Sequence, residues 1–315
     1  MAVTAESVLA GDRLALSRLI TQIENGVQES RATLDALFPY TGNAYLIGVT
    51  GPSGSGKSTL VNQLALKLAQ AGDQRIGIIA VDPTSPFSGG ALLGDRVRMS
   101  DLFANPNIFI RSMATRGALG GLARAADDAA YAMDAAGYAF ILIETVGAGQ
   151  SEVEIAKLAH TTIVVEAPGL GDDVQAGKAG LLEIADILVV NKSDRLGAEA
   201  SARALENALA LGVEINGNSD DGWQVPVLRV SALHGEGLPE LVDVIYSHRR
   251  HLQDDRGWAE RKNRRARSGL VRLLKESLYT AWQTQVSEDA VDEMAAKIAG
   301  GALSPEQAAK RLLET

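Results

Sequence analysis

Near the start of the chain, Leu16, Leu19, Ile20 and Ile23 recur at i, i+3, i+4 and i+7 with polar residues between them, which predicts an amphipathic helix over 6–37. Pro39 and Gly42 end that periodicity. The pattern then changes. Tyr-Leu-Ile-Gly-Val-Thr at 45–50 is a continuous apolar run, too short for a helix and rich in strand formers. Similar runs follow at Ile76–Val81, Ile108–Ile110, Ala139–Ile143, Thr161–Val165, Ile187–Val190 and Val225–Val230. Between them lie alanine- and leucine-rich helix formers such as Ser58–Gln70 and Leu122–Ala135. Runs without alternation mean strands covered on both faces, so the expectation is an open α/β fold with a mostly parallel sheet. Beyond Tyr246 no strand-like run appears, and Ser304-Pro305-Glu306-Gln307 has the form of a capped helix start. The predicted organisation is a helical N-terminal extension over 1–41, an α/β domain over 42–252 and a helical C-terminal region over 253–315. No internal repeat, low-complexity tract or flexible linker stands out.

Composition narrows this picture. The 315 residues are 46% apolar, enough for a sizeable core. With no cysteine, the chain has no disulfide framework, thiolate-held metal or cysteine nucleophile. Thirty basic against 39 acidic residues leave a net charge of −9, which argues against nucleic acid as a partner. No apolar run approaches the ~18 residues of a membrane span. The opening Met-Ala-Val-Thr-Ala-Glu has no basic segment followed by an apolar one, so a cytoplasmic protein without a membrane partner is expected.

The candidate chemistry begins at Gly51-Pro-Ser53-Gly54-Ser55-Gly56-Lys57-Ser58-Thr59, which matches G-x-x-x-x-G-K-S/T between a predicted strand and a predicted helix. Such glycines let backbone N–H groups converge on phosphate oxygens at a helix start. Lys57 is expected to reach the β- and γ-phosphates and the Ser58 hydroxyl to ligate Mg²⁺. Asn191-Lys192-Ser193-Asp194 follows the strand Ile187–Val190, at the strand end where open sheets bind ligands. A carboxylate at Asp194 accepts two hydrogen bonds from guanine but meets a lone pair on adenine, so it selects GTP and GDP. The Lys192 stem is expected across the base. Ser231-Ala232-Leu233 follows another strand, with the Ala232 N–H expected at the guanine carbonyl.

Three acids are candidates around Mg²⁺: Asp82 and Glu144 at strand ends, and Asp95 between them. Mg²⁺ keeps several waters, so not all three need ligate it directly. Glu144-Thr-Val-Gly147 stands where most GTPases carry D-x-x-G, and the longer arm suits a water-mediated contact or the positioning of water. Gly147 can offer its N–H to the γ-phosphate. No glutamine follows Gly147 directly, and Gln150 comes three residues later, so slow intrinsic hydrolysis accelerated by a partner is expected.

Together with Val81-Asp-Pro-Thr-Ser85, Gly89-Gly-Ala-Leu-Leu-Gly94-Asp95-Arg96, Arg111-Ser-Met-Ala-Thr-Arg-Gly-Ala-Leu-Gly120, Glu144-Thr-Val-Gly-Ala-Gly-Gln-Ser-Glu152 and Pro168-Gly-Leu-Gly-Asp-Asp-Val-Gln175, these motifs resemble the MeaB/ArgK branch of the P-loop GTPases. The resemblance runs over most of residues 10–300. It implies a P-loop G domain with helical extensions at both ends, the C-terminal one for dimerisation. It also implies a homodimer that acts as a GTPase chaperone, gating adenosylcobalamin loading into an acyl-CoA mutase such as methylmalonyl-CoA mutase and protecting that enzyme. It makes glutamate the expected residue at 144, gathers Asp82, Asp95 and Glu144 at the Mg²⁺ and hydrolytic site, and makes 82–98, 144–154 and 168–180 nucleotide-sensing loops.

Two other readings compete. A metal-inserting maturation GTPase would want cysteine or clustered histidine; there is no cysteine, and the four histidines are scattered. A kinase linked to amino-acid transport would use ATP, against which Asp194 argues. The basic run Arg261–Arg267 is expected as a solvated helix face, His248 and His251 as surface histidines, and Trp258, Trp282 and Leu274 as helix-packing residues.

Overall fold

The computed structural model describes residues 3–72, 74–82, 102, 104–114, 119–145, 157–169, 180–211, 222–254 and 257–314. Within residues 1–262 the seven described strands are β1 (Tyr45–Thr50), β2 (Ile76–Asp82), β3 (Ile108–Ala114), β4 (Phe140–Glu144), β5 (Thr161–Glu166), β6 (Ile187–Asn191) and β7 (Val227–Val230). They form one sheet in the order β3-β2-β4-β1-β5-β6-β7, and every pairing is parallel. β7 starts two residues later than the apolar run Val225–Val230 suggests, just past Pro226, which has no N–H to give a ladder.

The continuous apolar runs divide by parity between two faces. Tyr45, Ile47, Val49, Ile163, Val165, Ile187 and Val189 pack with α4 (Lys57–Gln70) and a later helix, Leu238–Asp254. Leu46, Ile79, Val81, Ile141 and Ile143 pack on the other face beneath Leu119–Ala135 and the N-terminal helices, and Val164, Leu188 and Val190 beneath Ala198–Ala210. In chain order those three helices are α5 (Leu119–Ala135), α6 (Ala198–Ala210) and α7 (Leu238–Asp254).

The single helix expected over 6–37 is three: α1 (Ala5–Leu9), α2 (Arg13–Glu24) and α3 (Glu29–Leu37). Gly11 and Gly26 take φ of +79° and +67°, and Asp12 accepts the Leu14 and Ala15 N–H groups, so each break has a local cause. α2 buries Leu16, Leu19, Ile20 and Ile23 toward α5. Arg13 donates to the Pro106 and Ile108 carbonyls at 2.6 Å, and Arg111 of β3 pairs with Glu24. The extension is thereby fastened to the edge strand.

α8 (Gly257–Gln285) begins in this unit. Arg261, expected on a solvated face, instead forms a two-armed ion pair with buried Asp186 at 2.7 and 2.9 Å. His248, expected at the surface, is fully buried with Nδ1 2.8 Å from the Thr161 hydroxyl. Both corrections have one cause: residues far apart in sequence meet at the N-terminal edge of the sheet. Trp258 stacks on His160 and Tyr45 as a packing residue.

Residues 263–315 form a second compact unit, with the remainder of α8, α9 (Glu288–Ala299) and α10 (Pro305–Leu313). Ser304 and Gln307 make the reciprocal cap expected of their spacing. Trp282 donates to the Leu312 carbonyl at 3.0 Å, while Leu274, expected in packing, is about half exposed.

Candidate functional site

The site lies at the C-terminal ends of the central strands, where β1 turns into α4. Gly51 has φ of +138°, and a Cβ there would collide with the Val165 carbonyl. Gly56, at φ +90°, lies against the Asn191 amide and caps α4 without any side-chain acceptor. The first N–H groups of a fourteen-residue helix are therefore left for an anion. Ser53, Gly54 and Thr59 are exposed, and Ser55 is buried beneath the loop. Lys57 is buried, its Nζ donating to the Gly51 and Pro52 carbonyls at 2.8 and 3.0 Å. Those are weak partners for an ammonium compared with a phosphate.

Asn191 joins this turn to the end of β7. Its Nδ2 donates to the Ser55 and Gly56 carbonyls at 2.9 and 3.3 Å, and its Oδ1 accepts the Ala232 N–H at 3.1 Å. The N–H expected at the guanine carbonyl is thus directed to Asn191 in this structure. Lys192 adopts the left-handed region at φ +57°, and its Nζ reaches the Gly54 carbonyl at 2.6 Å, so its stem spans from the base-side loop to the phosphate loop. Asp194 is exposed and accepts the Ser231 hydroxyl at 2.6 Å. That bond holds its carboxyl below the usual carboxylate range. Leu233, two residues past Ser231, is exposed. On the far side of the loop, Glu144 is buried at the end of β4 and accepts the Ser58 hydroxyl at 2.5 Å.

A family description, "Methylmalonyl Co-A mutase-associated GTPase MeaB", matches residues 16–287. The chain belongs to the MeaB family of GTPases. It is 43% identical to a putative GTPase of Pyrococcus abyssi over 98% of this chain and 94% of that protein. It is 34% identical to the GTPase ArgK of Escherichia coli, over 89% of this chain and 82% of that one. Against the mitochondrial methylmalonic aciduria type A homolog of Mus musculus the identity is again 34%, over 86% of this chain and 65% of the mouse protein. Among solved structures, one described as an LAO/AO transport system kinase superposes with a TM-score of 0.75 at 27% identity, covering 98% of this chain and 95% of that one.

In this MeaB-family chain the candidate Mg²⁺ oxygens come from several elements. Ser58 and Glu144 bring a hydroxyl and a single buried carboxylate into contact, a hard oxygen pair that fits Mg²⁺. The backbone of Asp82 ends β2, the neighbour of β4, two residues beyond the Ala80–Glu144 pairing. Asp95, Gly147 and Gln150 lie outside the described residues. Two features of the site escape motif reading. The Ser231–Asp194 bond joins residues 37 positions apart, and the bridge through Asn191 reaches 136 positions back to Ser55 and 41 forward to Ala232; serine directly after a strand that faces N-K-x-D is the available clue.

Proposed function

We propose that the chain is a GTP-hydrolysing chaperone that gates adenosylcobalamin loading into a cobalamin-dependent acyl-CoA mutase and protects that mutase. The observation that carries this reading is the match of residues 16–287 to a mutase-associated GTPase, on a chain whose own geometry suits guanine and phosphate. Asp194, oriented by Ser231, selects guanine, with the Lys192 stem and Leu233 beside the base. Lys57 exchanges its two loop carbonyls for the β- and γ-phosphates, while backbone N–H groups of Gly51–Thr59 hold the remaining oxygens. Ser58, Glu144, Asp82 and Asp95 hold or surround Mg²⁺, and Gly147 faces the γ-phosphate. When bound, the ion would neutralise phosphate charge. Hydrolysis is slow alone, below about 1 s⁻¹, and a partner completes the site. The same reading makes the helical region 253–315 the dimerisation region of a cytoplasmic homodimer.

The test is GTP turnover by the purified protein, alone and with a purified cobalamin-dependent acyl-CoA mutase. Acceleration with GTP but not with ATP supports the chaperone. Turnover of GTP that no such mutase accelerates removes the mutase as client and favours a maturation GTPase. ATP use with transfer to a protein acceptor favours the kinase reading.

A further inference from the structure

The backbone ladder between β1 and β4 stops at Val49 and Glu144. One further backbone bond follows, from the Thr145 N–H to the Val49 carbonyl at 3.1 Å. Beyond it the contact passes to side chains: the Thr145 hydroxyl donates to the Thr50 hydroxyl at 3.0 Å, and both residues are about 1% exposed. On its other side Thr50 pairs with Val164 of β5. Among the described residues, this hydroxyl pair therefore adds one rung beyond the backbone ladder.

Its place is what gives it consequence. Thr50 is followed by Gly51, whose carbonyl receives Lys57. Thr145 is preceded by Glu144, whose carboxylate receives Ser58. Among the described residues, the pair is thus the last tie between the strand that launches the phosphate loop and the strand that presents the acid. Valine has the same shape and an equal or better strand preference, so neither packing nor propensity demands two threonines here. A fixed relation between loop and carboxylate does.

We propose that Thr145 is a positioning residue for GTP hydrolysis, its hydroxyl on Thr50 holding Glu144 in register with Ser58. The proposal rests on the GTPase reading and is independent of the client. The experiment compares wild type with Thr145→Val, Thr50→Val, the double Val variant and Thr145→Ser. Steady-state GTP hydrolysis, thermal melting and the release rate of a fluorescent GDP analogue across a Mg²⁺ titration are followed. Thr145→Val and the double variant should lose about 10–100-fold in kcat, the scale of a misplaced catalytic group. At saturating Mg²⁺, KM for GTP should move less than about twofold, since the base and phosphate-loop contacts are untouched. The double variant should melt near wild type, because both hydroxyls leave together and neither is stranded. Thr145→Ser should restore turnover. Thr145→Val should also need more Mg²⁺ to slow GDP release. Wild-type kcat in the double variant, or no recovery in Thr145→Ser, would overturn the proposal. A wild-type chain that hydrolyses no GTP would sink the GTPase reading and this inference with it.

Discussion

Under the proposed function, nucleotide choice turns on Asp194. It is exposed and its carboxylate is already oriented by Ser231, so it meets a base in a preset direction. Guanine offers two donors to that carboxylate, whereas an amide at the same place would turn a donor toward one of them. Asp194→Asn is therefore expected to weaken GTP binding at least about 100-fold, as sites built on a paired polar contact do. Titration with a fluorescent guanine nucleotide measures it, and unchanged affinity would remove the guanine argument. Glu144 stands on the other side of the phosphate loop and has a different task. Because it touches Ser58 and not the base loop, Glu144→Gln at saturating Mg²⁺ should leave GDP affinity near wild type while turnover falls about 10²-fold or more, a typical loss for a positioned acid or base. Single-turnover hydrolysis beside equilibrium binding separates the two effects; a matched loss in both would show that Glu144 serves binding alone.

The elements that carry these residues are held from below by a polar cluster at the opposite edge of the sheet. Asp186 accepts the Thr162 N–H at 2.7 Å and both arms of Arg261, and the His248 ring lies 3.6 Å away. Tyr45 Oη is 2.5 Å from the Thr161 hydroxyl, and burial pushes its phenol above the ordinary tyrosine range. Burial also pushes the Asp186 carboxyl up, but Arg261 and the other donors outweigh it and hold the group below its ordinary 3.8. A depressed carboxylate stabilises the fold above its unfolded pKa, and that stability is lost as pH falls through the folded value. Arg261→Met strands a buried carboxylate and should cost about 3–5 kcal/mol. Asp186→Asn should lower the melting temperature strongly at pH 7, and the gap from wild type should close below pH 4; a gap independent of pH would exclude the ion pair as its source. The strands of this sheet were legible because an apolar run covered on both faces has a local signature, as did the capped start of α10. The break at Gly11 was legible in principle, since a glycine followed by aspartate is a stop and a cap. The Asp186–Arg261 pair was not: its partners are 75 positions apart, and a basic run reads locally as a solvated face. The phosphate loop was plain from its spacing, whereas Thr50 lies just outside that motif and Thr145, although inside the Glu144–Glu152 string, gains a partner only from the register of β1 on β4.

At the scale of the whole molecule, the second unit has apolar surface that its own helices leave uncovered. Leu270, Leu274 and Leu278 follow each other at four-residue spacing along α8 and are 58%, 52% and 69% exposed, with Tyr279 beside them at 59%. Scattered exposed leucines need no explanation, but a stripe of them on one helix face does. Fully burying each is worth about 1.5–3 kcal/mol, enough in sum to hold two copies together if the stripe is their seam. Charge permits this: basic residues (Arg264, Arg267, Arg272, Lys275) run along α8 beside the stripe, and acids (Glu288, Asp289, Asp292, Glu293) lie in α9, so a second copy can meet opposite charge as well as apolar surface. The wild-type protein is accordingly expected to sediment as a dimer and Leu274→Glu/Leu278→Glu as a monomer, with the melting temperature of residues 1–262 and the basal GTPase rate preserved. Since the substituted side chains are exposed in the single chain, misfolding is not the expected route to monomers. A dimer that survives both substitutions would place the seam elsewhere on the molecule, and a monomeric wild type would assign the stripe to a different protein, with the mutase the first partner to test.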